Sequence, residues 1–221
     1  AKGDNSDGLG YNWDYFDYAF KPGIQQDYSL SIRGGSERAR YYVMANYYSQ
    51  DGNYEHTDLT EHDTQARFKR YNFRANVDVD ITKDFYVRVD LGARITDRHA
   101  PGTTASTVVS LCNTLPPYLP ITVPENDNPD NEDYVLNNPY GMLYGDYRHR
   151  KNILGELSRT GYLIEKKTYL NGSFAIGHKL DFITKGLKIE GVFSYDASEG
   201  NWVNRKLGVN KDGYMEFTKY A

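Results

Sequence analysis

Residues 71–81 alternate without a break. Tyr71, Phe73, Ala75, Val77, Val79 and Ile81 are apolar or aromatic, and Asn72, Arg74, Asn76, Asp78 and Asp80 between them are charged or amides. A period of two places these sets on opposite faces of one extended strand. The run is about twice as long as an ordinary globular strand. It matches the roughly 9–11 tilted residues that cross a bilayer within a β-barrel. A one-residue slip would carry Arg74, Asp78 and Asp80 to the apolar side together. An arginine alone costs on the order of 2–4 kcal/mol at mid-bilayer, and each aspartate less, so the register is fixed. A half-buried antiparallel sheet in a soluble protein has the same pattern, and this stretch does not separate the two.

The pattern recurs along the chain. Tyr28, Leu30 and Ile32 alternate with Ser29, Ser31 and Arg33, and Gly34, Gly35 and Ser36 form a tight turn. Residues 39–50 return, with Tyr41, Val43, Ala45 and Tyr47 on one face. Val87, Val89, Leu91, Ala93 and Ile95 oppose Arg88, Asp90, Arg94 and Thr96. Leu170, Phe174 and Ile176 oppose Asn171 and Ser173, and Leu187, Ile189, Phe193 and Tyr195 oppose Lys188, Glu190, Ser194 and Asp196. Six long strands are therefore predicted, as three hairpins. A short helix is predicted over 103–113, ended by the proline-rich run at 115–120. Residues 12–20, aromatic and acidic, read as a helical turn or an irregular loop.

The connections alternate strictly in length. They are short at 34–38, 82–84 and 181–186, long at 51–69 and 97–166, and open from 197. A soluble sandwich has no reason to keep its short turns at one end, whereas an outer-membrane barrel has short periplasmic turns and long extracellular loops. The expected fold is all-β: an antiparallel transmembrane β-barrel segment, about six long strands of a larger plugged barrel, with long extracellular loops. Its parts are a loop lead-in at 1–27, barrel strands at 28–96, a long extracellular loop region with a short helix at 97–166, and a barrel hairpin with the start of the next loop at 167–221.

Composition adds constraints. The 221 residues carry a formal charge of −4, which argues against nucleic acid as a partner. Mean hydropathy is −0.73 and no run approaches the 18 or so uninterrupted apolar residues of a helical span, although that test does not bear on barrels. Tyrosine is abundant, with 21 residues, and suits a membrane interface or a sugar-binding surface equally. Cys112 is the single cysteine, so no internal disulfide framework exists.

Several stretches together resemble the SusC/RagA family of TonB-dependent outer-membrane transporters. They are Trp13 and Asp14 with Phe20, the run from Tyr28 to Ser36, Tyr41 to Val43, and Tyr47 to Gly52. Further along come Arg70 to Asp78, Ile81 to Asp84, Asn138 to Tyr140, and Phe182 to Leu187. They occur in the family's order over residues 13 to about 196. The resemblance implies an outer-membrane barrel of a Gram-negative bacterium that imports oligosaccharides, other glycans or peptides. It implies as partners outer-membrane lipid, a SusD-like surface lipoprotein as lid, TonB acting through an N-terminal part, and the remaining barrel and plug. Large transporters of this kind have 22 strands. Six strands cannot close round a plug, and open edges in lipid leave backbone groups unpaired, so the sequence reads as one piece of a larger barrel.

No catalytic constellation, phosphate loop or cofactor motif is recognisable, and neither an enzyme nor a metal site is expected. His56 and His62 lie near Asp58 and Asp63, and residues 126–133 are rich in carboxylates; the default reading of both is a solvated loop. On the polar faces Asn72, Arg74, Asn76, Asp78, Asp80, Arg88, Asp90 and Arg94 are assigned to the lumen, where they either line a solute path or bond a plug. Tyr134, Tyr140, Tyr144 and Tyr147, in the longest loop, are candidate ligand-binding residues because sugar rings stack on aromatic faces. The same residues would also serve loop packing or lid contact. Tyr41, Tyr47, Tyr71, Phe85 and Tyr195 fit aromatic interface belts. The rival reading is a soluble, aromatic-rich β-sheet module that binds carbohydrate. It requires Phe73, Val77, Val89 and Phe193 to pack against one another in an internal core.

Overall fold

The computed structural model describes residues 11–58, 62–122, 143–145, 147–206 and 218–220. In chain order these form α1 (Tyr15–Ala19), β1 (Gln25–Gly35), β2 (Ala39–Asp51), β3 (Arg67–Asp80) and β4 (Phe85–Pro101). Then follow α2 (Ala105–Thr114), β5 (Leu143–Gly145), α3 (Ile153–Ser158), β6 (Gly161–Lys179), β7 (Lys188–Lys206) and β8 (Thr218–Tyr220). The long strands make one six-stranded antiparallel sheet in the order β1-β2-β3-β4-β6-β7, and β5 pairs with β8 in parallel. Among the described residues no helix is long and apolar enough to cross a membrane.

Each short turn is fastened by a side chain of its own. Ser36 Oγ accepts from the Arg38 and Ala39 amides at 3.3 and 3.2 Å. Thr82 Oγ1 accepts from Asp84 and Phe85 at 3.3 and 3.0 Å. Asp181 Oδ1 accepts from the amide of Gly186 at 2.6 Å. Gly186 has φ +84°, a left-handed conformation that glycine adopts without a Cβ penalty.

The register joins the apolar positions into one continuous face. Ile32, Val43, Ala75, Leu91, Gly172 and Tyr195 form one row across all six strands, and the next is Gly34, Tyr41, Val77, Val89, Phe174 and Phe193. The apolar window slides as it crosses the sheet. It covers residues 28–34 in β1 and 189–197 in β7, and the row that starts at Tyr28 ends at Glu199. Such a slide is the stagger of strands tilted against a level band. The stretch from Tyr71 to Ile81 is about 33 Å of strand and, tilted by about 40°, stands about 25 Å tall, the height of an outer-membrane apolar band.

Among the described residues the face has no core behind it. Leu30 is 66% exposed, Phe73 50% and Phe193 69%, so the internal packing that a soluble carbohydrate module needs is missing. Among the described residues, the six long strands supply only two buried apolar side chains, Ala175 of β6 and Pro101 at the loop end of β4. The hydrophobic cluster sits instead at the long-loop end, where Tyr15, Ala19, Tyr54, Val108, Ile121, Leu143, Ile153, Leu154 and Leu157 pack together.

Residues 1–27 were expected as an exposed lead-in with a helical turn or irregular loop at 12–20; a helix does form there, α1, but it lies inside this cluster. Asp14 caps it by accepting from the Phe16 and Asp17 amides, and Tyr15 and Ala19 are buried. The strand after it begins at Gln25. Within the long connection α2 starts at Ala105 under its Thr104 cap, close to the predicted helix, while α3 was not foreseen. Asn152 caps α3 and its amide also donates to the carbonyls of Ile121 and Tyr144, at 2.7 and 3.0 Å. β4, β6 and β7 run several residues beyond their apolar windows, because backbone pairing continues where the outer face has turned polar.

Candidate functional site

The polar face is built by the alternate positions of the same strands. All eight polar residues singled out on β3 and β4 project to this one side. Asn72 stands opposite Arg94, Arg74 opposite Gly92, Asn76 opposite Asp90, Asp78 opposite Arg88, and Asp80 opposite Tyr86. The lower part of the face, toward the short turns, is internally paired. Arg88 Nε donates to Asp78 Oδ1 at 3.0 Å, and Arg40 Nη2 lies 3.4 Å from Asp80 Oδ2. Asp90 accepts from Asn76 Nδ2 through one oxygen and from Ser173 Oγ through the other. Tyr86 lies over Gly177, where any side chain would collide with its ring, and its hydroxyl donates to Glu190.

The upper part, toward the long loops, is arranged differently. Asn46 donates to Asp27, to the Tyr28 carbonyl and to Ser29, and accepts from Asn72 at 3.1 Å. The Arg94 guanidinium stacks on the Tyr169 ring at 4.3 Å, and that of Arg70 lies 5.1 Å from the Tyr48 ring. Neither they nor Arg74 form an ion pair among the described residues. A recess of about 460 Å³ opens here, lined by Met44, Asn72, Arg74, Arg94, Tyr169 and Asn171 around Gly92. Asn46, Tyr86, Tyr169, Asn171 and Ser173 were not among the predicted site residues. Their parity with Asn72 and Arg88 was available in the alternation, but weak contrast in 39–50 and the gap before residue 168 hid it.

At the long-loop end a second cavity, of about 420 Å³, is lined by Gln50, Phe68, Arg98, Thr103, Leu163 and Lys206 among others. Two of the basic groups that line it are engaged: Arg98 lies 3.8 Å from Glu165, and Arg67 pairs with Asp63. His99 Nδ1 is 2.7 Å from the Gln65 carbonyl.

The four loop tyrosines are not seen as one group. Tyr134 and Tyr140 lie outside the described residues, as does the acidic stretch 126–133. Tyr144 is half-buried in β5, its amide donating to the Ile121 carbonyl at 3.1 Å. Tyr147 is 68% exposed, with the Arg148 guanidinium over its ring at 5.2 Å. The wider aromatic cluster is at the N-terminal side. Tyr11 stacks on Trp13, Trp13 meets Tyr18 edge-on at 5.4 Å, and Tyr18 packs on His56 at 4.3 Å.

Burial sets the titration of these loop groups. It pushes the Tyr15 and Tyr18 hydroxyls up to about 12 and the Cys112 thiol up to about 11. His56 is held below the ordinary imidazole value, chiefly by desolvation, which outweighs the opposing pull of Glu55 and Asp58. His62 packs edge-on against Tyr162.

On the apolar face two of the expected belt residues, Tyr47 and Tyr71, continue a ladder from Tyr28, whereas Tyr195 stands in the central row with Leu91 and Gly172. Tyr28, Tyr47 and Tyr71 stand in one row with ring centroids 6.3 and 5.1 Å apart. Tyr41, covering Gly34, and Phe85 mark the short-turn side.

Comparison with known proteins agrees with this architecture. No family model matches the chain. It is 30% identical over 152 residues to TonB-dependent receptor P3 of Formosa agariphila, a match covering 63% of this chain and 14% of that protein. Its fold superposes on the structure of the RagAB peptide importer in the closed-closed state with a TM-score of 0.57 at 18% identity, covering 87% of this chain and 19% of the importer chain. The chain is similar in sequence to a stretch of a TonB-dependent receptor and in fold to part of the RagAB importer. It spans about a seventh of the length of the receptor and about a fifth of the importer chain. In such a barrel the six strands are adjacent wall elements, and the loop-end cluster packs beyond the apolar band.

Proposed function

We propose that the chain forms part of the wall of an outer-membrane, TonB-dependent importer of oligosaccharides or peptides in a Gram-negative bacterium. Its apolar face meets lipid. Asn72, Arg74, Asn76, Asp78, Asp80, Arg88, Asp90 and Arg94 face an enclosed, hydrated lumen holding a plug. Residues 36–38, 81–84 and 180–187 lie on the periplasmic side. The loop-end cluster stands at the outer mouth, where a SusD-like lipoprotein lid and the solute arrive. TonB engages a different part of the complete polypeptide. Transport in this reading is conformational and requires no covalent chemistry from these residues.

One observation carries the proposal. A continuous apolar face about 25 Å tall is left uncovered, while its opposite face is a network of charges and amides. In water such a face would be an aggregation surface; in a bilayer it is the outer wall. The rival soluble module is not favoured, since Phe73 and Phe193 point away from any core. For the solute, exposed Tyr147 and the aromatic cluster of Tyr11, Trp13 and Tyr18 offer ring faces at the mouth.

The test is fractionation of cells expressing the complete polypeptide. We expect it in the outer-membrane fraction, extracted by detergent and aggregated when detergent is removed. A monodisperse folded protein in plain buffer would sink the proposal.

A further inference from the structure

We propose that the recess between Arg74 and Arg94 is a carboxylate-binding site. The proposal rests on reading the polar face as an enclosed interior, and three features of the recess point to its occupant.

The first is stranded charge. Of the arginines of β3 and β4, Arg88 has Asp78, Arg98 has Glu165 and Arg67 has Asp63 as carboxylate partners, whereas Arg70 and Arg94 have only ring contacts, with Tyr48 and Tyr169. Arg74 and Arg94 flank the recess with no carboxylate in ion-pair range among the described residues. Arg70, one row further up, keeps a buried Nε with no hydrogen-bond partner. The Arg74 and Arg94 side chains are both exposed on this sheet; enclosed in the proposed lumen, two guanidiniums without a counter-charge would be costly, and an anion between them would offset that cost.

The second is shape. Gly92 stands opposite Arg74, and the Asn171 amide lies over it in the space that any side chain there would need. Arg74 and Arg94 are diagonal neighbours across the recess, since Asn72 pairs with Arg94 and Arg74 with Gly92. The forked donors of two guanidiniums, with the Asn72 and Asn171 amides beside them, match a planar carboxylate. Of the two aromatic residues that line the recess, Phe73 belongs to the apolar set of β3 and Tyr169 has one face covered by Arg94. A neutral sugar ring therefore finds no stacking surface there.

The third is charge balance. The nearest carboxylate on the face, Asp90, is one row away with both oxygens occupied by Asn76 and Ser173. Asp196 is in line with Arg74 beyond Asn171, on the edge strand β7. These acids leave room for a singly charged anion and disfavour a doubly charged phosphate.

The carboxylate has two sources, an acidic side chain of the polypeptide inside the barrel or an acidic group on the solute. Carbodiimide coupling separates them, because it joins an amine to a carboxylate already beside it. The complete receptor in outer-membrane vesicles would carry Arg74→Lys or Arg94→Lys, which keeps the charge and the fold. Arg88→Lys, beside Asp78, is the positive control, and Arg33→Lys, exposed on the same face of β1, is the background. Vesicles are treated with isotope-labelled galacturonate and carbodiimide, then mapped by mass spectrometry. We expect coupling at position 74 or 94 at least tenfold above position 33. An isopeptide link to an internal Asp or Glu assigns the polypeptide source, and labelled galacturonate assigns the solute source. Coupling at position 88 to Asp78 with none above background at 74 or 94 would overturn the carboxylate site and leave the barrel reading standing. Recovery of the polypeptide in the soluble fraction would overturn both.

Discussion

Val77 and Asn76 are adjacent in the chain and opposite in environment. Val77 lies between Tyr41 and Val89 on the apolar face, and Asn76 donates to Asp90 on the polar one. Val77→Arg would place a guanidinium in hydrocarbon at a cost of about 2–4 kcal/mol near mid-bilayer. Asn76→Arg would keep a donor beside Asp90. We expect the first to deplete assembled barrel in the outer membrane several-fold and the second to leave it near wild type; equal depletion would contradict the assignment of faces. His56 gives a residue-scale prediction for the loops. Its folded-state value is lowered by burial, so the folded state binds fewer protons than the unfolded one. Its contribution is full above the ordinary imidazole value of 6.5 and is lost as pH falls through the lowered folded-state value. Hydrogen exchange around residues 52–58 should therefore quicken at pH 5.5 relative to 7.5, corrected for intrinsic rates. His56→Gln should remove that difference.

At the scale of elements, the sheet and the loop-end cluster are separate stabilising units. Leu157 is fully buried in α3, and Thr64 Oγ1 donates to its carbonyl. Leu157→Ala should cost about 2–5 kcal/mol locally. It should raise exchange in α1, α2 and α3 while the amides of β3 and β4 keep their protection. Loss of protection throughout would mean that the two units are one. This division also explains what could be read from the sequence. The strands were legible because their faces meet different solvents, so polarity alternates wherever the band lies. The alternation stops at the edge of the band while pairing continues, which is why β6 and β7 reach nineteen residues each. The cluster was not legible. Its core joins Tyr15, Tyr54, Val108 and Leu157 from four separated segments, and α1 and α3 are too short, at five and six residues, to show a helical period.

For the whole molecule, the strands place two chemically different surfaces back to back and set a packed cap at one end. The slide of the apolar window from β1 to β7 ties that geometry to a tilted wall, because an upright sheet would keep its window level. Similarity to TonB-dependent receptor P3 and to the RagAB importer fold agrees with this arrangement. The most direct test is spin labelling of the complete receptor in lipid, one cysteine at a time, over residues 71–81. Accessibility to oxygen, which concentrates in hydrocarbon, is compared with accessibility to a water-soluble nickel chelate. The account predicts oxygen maxima at Phe73, Ala75, Val77 and Val79, with the oxygen response low at Asn72, Arg74, Asn76 and Asp78. Low accessibility to both reagents at the first set, as in a sealed protein core, would contradict it.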